Sequence, residues 1–127
     1  MRYALINPNW SFEGSIYFGC RDPHLPLEYG YAKQLLEAQG HQAEIIDGQI
    51  ERLNASELRR RVEAFAPDFA VVCTAPSYLF WRCAPPELRV PRETVRLIRD
   101  LAKHVVAVGP HCSTTPRAAL RKLDVDV

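Results

Sequence analysis

Cysteines at metal-binding spacing are missing from this sequence. Its four, Cys20, Cys73, Cys83 and Cys112, stand far apart, with no CxxC, no CxxxCxxC and no paired histidines. Metal ligands usually cluster along a chain, so a zinc or iron-sulfur site made by these residues alone is not expected, and reduced thiols are the default. No stretch approaches the roughly 20 apolar residues that a membrane helix needs, and the opening Met1-Arg2-Tyr3-Ala4-Leu5-Ile6-Asn7 is too short for a signal peptide. The expected location is cytoplasmic. Excess charge of one sign is lacking too: 16 Lys plus Arg face 15 Asp plus Glu, interspersed, for a net charge of +1. A nucleic-acid footprint requires a clustered basic face, so no nucleic-acid partner is expected, and no membrane.

Glycine is scarce, six residues in 127, and none of it forms a phosphate cradle. A nicotinamide site would place GxGxxG after the first strand, where this chain has Asn7-Pro8-Asn9-Trp10-Ser11-Phe12-Glu13-Gly14-Ser15. A phosphorylated receiver would want an acceptor Asp ending the third strand, where Thr74-Ala75-Pro76-Ser77 stands. A flavin-phosphate loop would be rich in Ser, Thr and Gly, and these residues are bulky.

What is present is an alternation of strands and helices. With 47% hydrophobic and 24% charged residues, the composition is that of one globular domain able to bury a core without disulfides. Arg2 to Ile6 reads as a strand stopped by Asn7-Pro8. Pro26 opens a helix in which Leu27, Tyr31, Leu35 and Ala38 recur at helical spacing before Gly40. Gln42 to Asp47 is a second strand. Asn54 and Glu57 have capping-box spacing ahead of a Leu58, Val62, Phe65 stripe closed by Ala66-Pro67. Asp68 to Thr74 and His104 to Gly109 are apolar enough to predict strands buried on both faces. Between them Pro91 opens a helix with Val95, Ile98, Leu101 and Ala102 inward, and Thr115-Pro116 begins another carrying Ala119, Leu120 and Leu123. Asp124-Val125-Asp126-Val127 reads as the start of a fifth strand cut short, which predicts an N-terminal fragment of a longer polypeptide. The economical fold is a three-layer, doubly wound, flavodoxin-like (Rossmann-like) parallel α/β sheet ordered 2-1-3-4-5. An incomplete fifth strand would leave an open ladder, so self-association along that edge is expected.

Two connections, residues 8 to 25 and 76 to 90, exceed the usual loop length of about 2 to 6 residues. They hold Trp10, Phe12, Tyr17, Phe18, Tyr78, Phe80 and Trp81, seven of the twelve aromatics. Both would meet beyond the carboxyl ends of strands one and three, at the topological switch point where ligands bind in such sheets. The rings then either line a ligand or pack on one another or a neighbouring domain. His41 and His104 fall at helix ends, where interaction with helix carbonyls is the expected role, and Cys73 and Cys112 read as buried small hydrophobes.

Four segments then carry a resemblance. They are Ala4-Leu5-Ile6-Asn7-Pro8; His24-Leu25-Pro26-Leu27-Glu28-Tyr29-Gly30-Tyr31-Ala32, running on to Leu35-Leu36 and Gly40-His41; Ile45-Ile46-Asp47; and Val108-Gly109-Pro110-His111. In this order the chain resembles, over its whole length, the N-terminal cobalamin-binding domain of cobalamin-dependent radical SAM enzymes. The resemblance implies cobalamin as cofactor. It also implies a parent enzyme, often a methyltransferase, whose C-terminal radical SAM domain brings S-adenosylmethionine and an iron-sulfur cluster. No catalytic residue is expected in this chain, and any chemistry would come from the rest of the parent.

The same resemblance puts Asn7, Pro8, Trp10, His24, Leu25, Thr74, Ala75, Ser77, Tyr78, Gly109, Pro110 and His111 at the cofactor. The benzimidazole tail, displaced from cobalt, would lie near Thr74, Ala75, Ser77, Gly109 and Pro110. Related cobalamin domains carry Asp-x-His-x-x-Gly, whose His ligates cobalt; Asp22-Pro23-His24-Leu25-Pro26-Leu27 matches except at its last position, so His24 is the candidate cobalt ligand. His111 could touch the corrin or cap the following helix. Two rival readings stay open: a cobalamin-free descendant serving as a recognition or interaction module, and a stand-alone flavodoxin-like enzyme or sensor.

Overall fold

The computed structural model describes residues 1–10, 25–76 and 88–127. Four parallel strands, β1 (Arg2–Asn7), β2 (Gln42–Asp47), β3 (Phe69–Cys73) and β4 (His104–Val108), form one sheet in the order β2-β1-β3-β4. Register pairs Leu5 with Ile45 on one side and with Val71 on the other, and Val71 with Val106. The helices are α1 (Leu27–Ala38), α2 (Ala55–Phe65), α3 (Arg89–Ile98), a short α4 (Pro110–Thr114) and α5 (Pro116–Leu123). This is the flavodoxin-like arrangement expected from the sequence.

Along each strand, alternate residues face opposite layers. Ala4, Ile6, Ala70, Val72 and Val105 face one side, where they meet Leu58 and Val62 of α2 and Val95 and Ile98 of α3 in the main core. Ala107 packs against Ala119 and Leu123 of α5 on that side. The other face carries Leu5 and Cys73, against which only α1 packs, through Tyr29, Ala32 and Leu36.

That asymmetry corrects two expectations. Strands β3 and β4 are not buried on both faces: Val71, Val106 and Val108 are half-buried and His104 is exposed, while Ala70, Val72, Val105 and Ala107 are covered. Leu27, Tyr31 and Leu35 are not core residues of α1 either, being 67%, 72% and 66% exposed. The inward positions are the neighbouring Tyr29, Ala32 and Leu36, about a third of a turn round the helix. Smaller differences concern ends. Helix α3 begins at Arg89, with Pro91 in its first turn where a missing N–H is harmless. Leu101 and Ala102 follow that helix and pack partly buried on the core, and Leu120 of α5 is exposed. Helix α4 is an addition to the expected elements. His41 and His104 sit against rings, completing a row His41, Tyr3, Phe69, His104 with centroid spacings of 5.4, 4.9 and 4.9 Å.

The capping box of α2 is present: the Asn54 side chain accepts from Glu57 N–H at 3.0 Å, and Asn54 N–H donates to the Glu57 carboxylate at 2.9 Å. Helix α2 ends on Ala66 in the left-handed region, φ 48°. After α5, residues 125–127 run along the free edge of β4. Asp126 N–H donates to Val105 C=O at 2.9 Å, Ala107 N–H donates to Val127 C=O at 2.8 Å, and the Asp126 carboxylate takes Val105 N–H at 2.8 Å. These residues bond to the edge without forming an assigned strand.

Two predictions follow from these local features. Ala66→Gly removes a β-carbon from a left-handed cap and should raise unfolding free energy by about 0.5–1 kcal/mol in urea titrations; unchanged or lower stability would refute the cap argument. The second concerns acid. Arg59 holds the Asp100 carboxyl down at about 2, Lys103 and Arg2 N–H lower Asp68, and Val105 N–H and Arg99 lower Asp126. Each folded value lies below the unfolded one, so the stability these groups contribute is fully present above about pH 4 and is lost as pH falls toward the folded values, about pH 2 for Asp100. Asp100→Asn should flatten the pH dependence of unfolding in that window, by a modest amount because the pair is exposed. An unchanged slope would exclude the pair as a contributor.

Candidate functional site

The carboxyl ends of β1, β2 and β3 meet in a buried polar knot. Asn7, the last residue of β1 and 2% exposed, donates from Nδ2 to Asp47 Oδ1 at 3.0 Å. Its Oδ1 accepts from Trp10 Nε1 at 2.9 Å and from the Cys73 thiol at 3.4 Å. Asp47 Oδ1 also takes the backbone N–H groups of Gln49 and Ile50, at 3.0 and 2.9 Å, making the turn that ends β2. Gly48 is required there, since a β-carbon would lie 2.9 Å from Asn9 N and 3.1 Å from Asn7 O. Beneath the knot, the Tyr29 hydroxyl lies 3.2 Å from both Ile6 C=O and Val71 C=O, bridging β1 and β3 at the switch point. Burial pushes both the Tyr29 phenol and the Cys73 thiol well up, so each stays protonated at neutral pH and acts as a donor.

A second cluster lies at the ends of β3 and β4. Thr74 is fully buried; its N–H and its hydroxyl both donate to Val108 C=O, at 2.8 and 3.0 Å. Gly109 adopts φ 118°, and a β-carbon on it would come within 2.7 Å of Thr74 Oγ1, so only glycine lets the two strand ends close up. Pro110 then opens α4, whose first turn returns Cys112 N–H to Gly109 C=O at 3.1 Å.

From this second cluster an open groove of about 1000 Å³ runs down the sheet. Leu5, Val71, Val106 and Val108 form its floor, α1 its wall, Tyr3 and Phe69 its far end, and Ala75, Gly109 and Pro110 its mouth. Glu28 is the one charged residue among those lining it. Such a groove suits an apolar, uncharged occupant with polar groups kept at the carboxyl edge. A smaller hollow of about 500 Å³, lined by Lys33, Glu37, His41 and Glu44 among others, lies away from the carboxyl ends.

The structure thus separates the sequence-predicted residues. Asn7 and Trp10 belong to the polar knot, and Pro8 beside them is buried. Thr74, Ala75, Gly109 and Pro110 gather at the mouth of the groove. His111 is half-buried in α4, and Leu25 is 68% exposed just ahead of α1. His24, Ser77 and Tyr78 lie outside the described residues, as do all the loop aromatics except Trp10. Tyr29 and Asp47 were not foreseen as site-shaping groups, although an Asp-Gly pair at a strand end signals such a turn. Among the described residues no cluster of three His, Cys, Asp or Glu could hold a metal, and no helix is long and apolar enough to cross a membrane.

No protein-family model matches the chain, and no curated protein matches it. Solved structures do. The radical S-adenosylmethionine methyltransferase TsrM from Kitasatospora setae, solved with cobalamin and a 4Fe-4S cluster bound, superposes with a TM-score of 0.69 at 23% identity over 98% of this chain. The same enzyme with tryptophan substrate and the SAM analogue aza-SAM gives a TM-score of 0.70, also at 23% identity. The likeness is one of fold. This chain spans about a fifth of the length of those enzymes, 21% and 22%.

The polar knot makes a prediction of its own. Asn7→Ala leaves Trp10 Nε1 and one lone pair of Asp47 without their partner in a buried setting, and should cost about 2–3 kcal/mol in denaturant unfolding. Measured in a Trp81→Phe background, it should also shift Trp10 fluorescence. A loss below about 0.5 kcal/mol would show that the knot is not a structural anchor.

Proposed function

We propose that residues 1–127 are the cobalamin-binding module of a radical SAM enzyme. The observation that carries this reading is the apolar groove that opens at the carboxyl edge between Ala75 and Gly109-Pro110. The group fits the residues present on two counts. The floor and wall are hydrocarbon and aromatic over most of their length, which suits the displaced benzimidazole tail. Burying about 150 to 200 Å² of that tail would contribute on the order of 4 to 5 kcal/mol before ordering costs. The mouth is built from small residues backed by backbone polar groups, which suits the amide-rich remainder of the cofactor. A phosphate-led nucleotide is disfavoured, because no cation stands among the lining residues.

Under this reading Ala75, Gly109 and Pro110 admit the tail, and Thr74 holds the two strand ends in register. Asn7, Pro8 and Trp10 keep the carboxyl edge rigid next to the corrin. Leu25, Ser77, Tyr78 and His111 complete the contact surface, and His24 is the candidate ligand to cobalt. Bound there, cobalamin supplies a cobalt centre suited to methyl transfer. S-adenosylmethionine and an iron-sulfur cluster would be held by the parent's radical SAM domain. The fold likeness to enzymes solved with these groups supports the assignment.

Titrating the purified chain with hydroxocobalamin tests it. Binding should appear as the absorption change of a cofactor whose benzimidazole has left cobalt, and Val108→Trp, which fills the groove floor, should weaken binding at least tenfold with the thermal midpoint kept. Absence of binding in equilibrium dialysis at about 100 μM cofactor would overturn the reading in favour of an interaction module. His24→Ala should alter the spectrum of the bound cofactor, and an identical spectrum would remove its role as ligand.

A further inference from the structure

Helix α1 has two faces that want cover. Tyr29, Ala32 and Leu36 take the sheet. Leu27, Tyr31 and Leu35, spaced i, i+4, i+8, form a second apolar stripe that is two-thirds exposed or more and lines the wall of the groove. Beside that stripe Gly30 is exposed, and a β-carbon there would meet nothing within 4 Å, so another backbone could approach closely. Leu27, Tyr31 and Leu35 account for much of the exposed large hydrophobic surface among the described residues.

The stripe and the groove are adjacent on one molecule, and they are complementary to each other. We propose that this face is a homodimer interface, in which α1 of each copy lies antiparallel to α1 of the other and covers the other's bare β3 and β4 face. The dimensions agree: twelve helical residues span about 18 Å, and five-residue strands about 17 Å. A two-fold axis at Tyr31 sets Leu27 opposite the partner's Leu35 and Glu28 opposite the partner's Gln34, so the stripe is its own complement in the reversed direction. A standard interface takes about 800 Å² from each partner, more than one helix stripe supplies. The exposed sheet residues Val71, Val106 and Val108 therefore go under cover with it. A cofactor tail needs only the mouth of the groove and has no use for a stripe on the outer side of α1, so this proposal stands independently of cofactor binding.

Sedimentation of the full chain from about 5 to about 100 μM should show mass rising from one chain toward two. Tyr31→Glu and Leu35→Lys should each weaken association at least tenfold while far-UV circular dichroism is unchanged, and Ile50→Glu, on another surface, should leave it intact. Tyr31→Cys should give a covalent dimer on mild oxidation, above any background from the native cysteines and from an Ile50→Cys control. Single-chain mass throughout, or association that neither Tyr31→Glu nor Leu35→Lys disturbs, would overturn the proposal. So would a failure of Tyr31→Cys to cross-link above the controls. Hydroxocobalamin binding, read separately by absorption, tells whether the cofactor assignment survives.

Discussion

Parallel strands need crossovers, and right-handed crossovers decide which face each helix covers. In the order β2-β1-β3-β4 the chain moves outward once, from β1 to β2, and then turns back through β3 to β4. That single reversal sends α1 to one face and α2 and α3 to the other, where α5 joins them. Three helices thus share one face and one helix serves the opposite face. The groove, the exposed stripe of α1 and the half-buried valines of β3 and β4 are all consequences of this imbalance.

The reversal also creates the switch point, which the chain fills with polar chemistry. Neighbouring strands diverge there beyond their carboxyl ends, and a crevice between β1 and β3 would expose their last carbonyls. Tyr29 reaches two of those carbonyls with one hydroxyl, and Asn7 ties Asp47, Trp10 and Cys73 together above it. Buried polar groups are tolerated when they are paired. The partners come from three strands, α1 and the first residues after β1, so the knot fixes those elements in one relative arrangement. Asp47 Oδ2, buried with no hydrogen-bond partner among the described residues, is the part of the knot that remains unsatisfied.

Much of the architecture was legible in the residues. Strand and helix order, the capping box at Asn54 and the sheet order followed from period, caps and breakers. What misled was reading apolar runs as burial. Phe69 to Cys73 and His104 to Val108 are apolar because a parallel sheet calls for it on both faces, yet the residues themselves do not say whether a second helix arrives to cover them. In α1 both stripes, 27-31-35 and 29-32-36, are apolar, and periodicity alone cannot rank them; Tyr29 wins because its hydroxyl can reach the β1 and β3 carbonyls. The candidate site was legible at Thr74, Ala75, Gly109 and Pro110, where small residues end strands. It was opaque at Asn7, whose side chain turned inward to join strands together.

Tyr29 is the one fully buried side chain of α1, whereas α2 and α3 each bury several. Local opening costs scale with the contacts that opening breaks. Helix α1 is therefore the element that can lift away while the other face of the sheet stays folded, and its amides form the least protected helical unit of the long helices. The side of the sheet that offers the groove is also the side whose wall is held by a single pin.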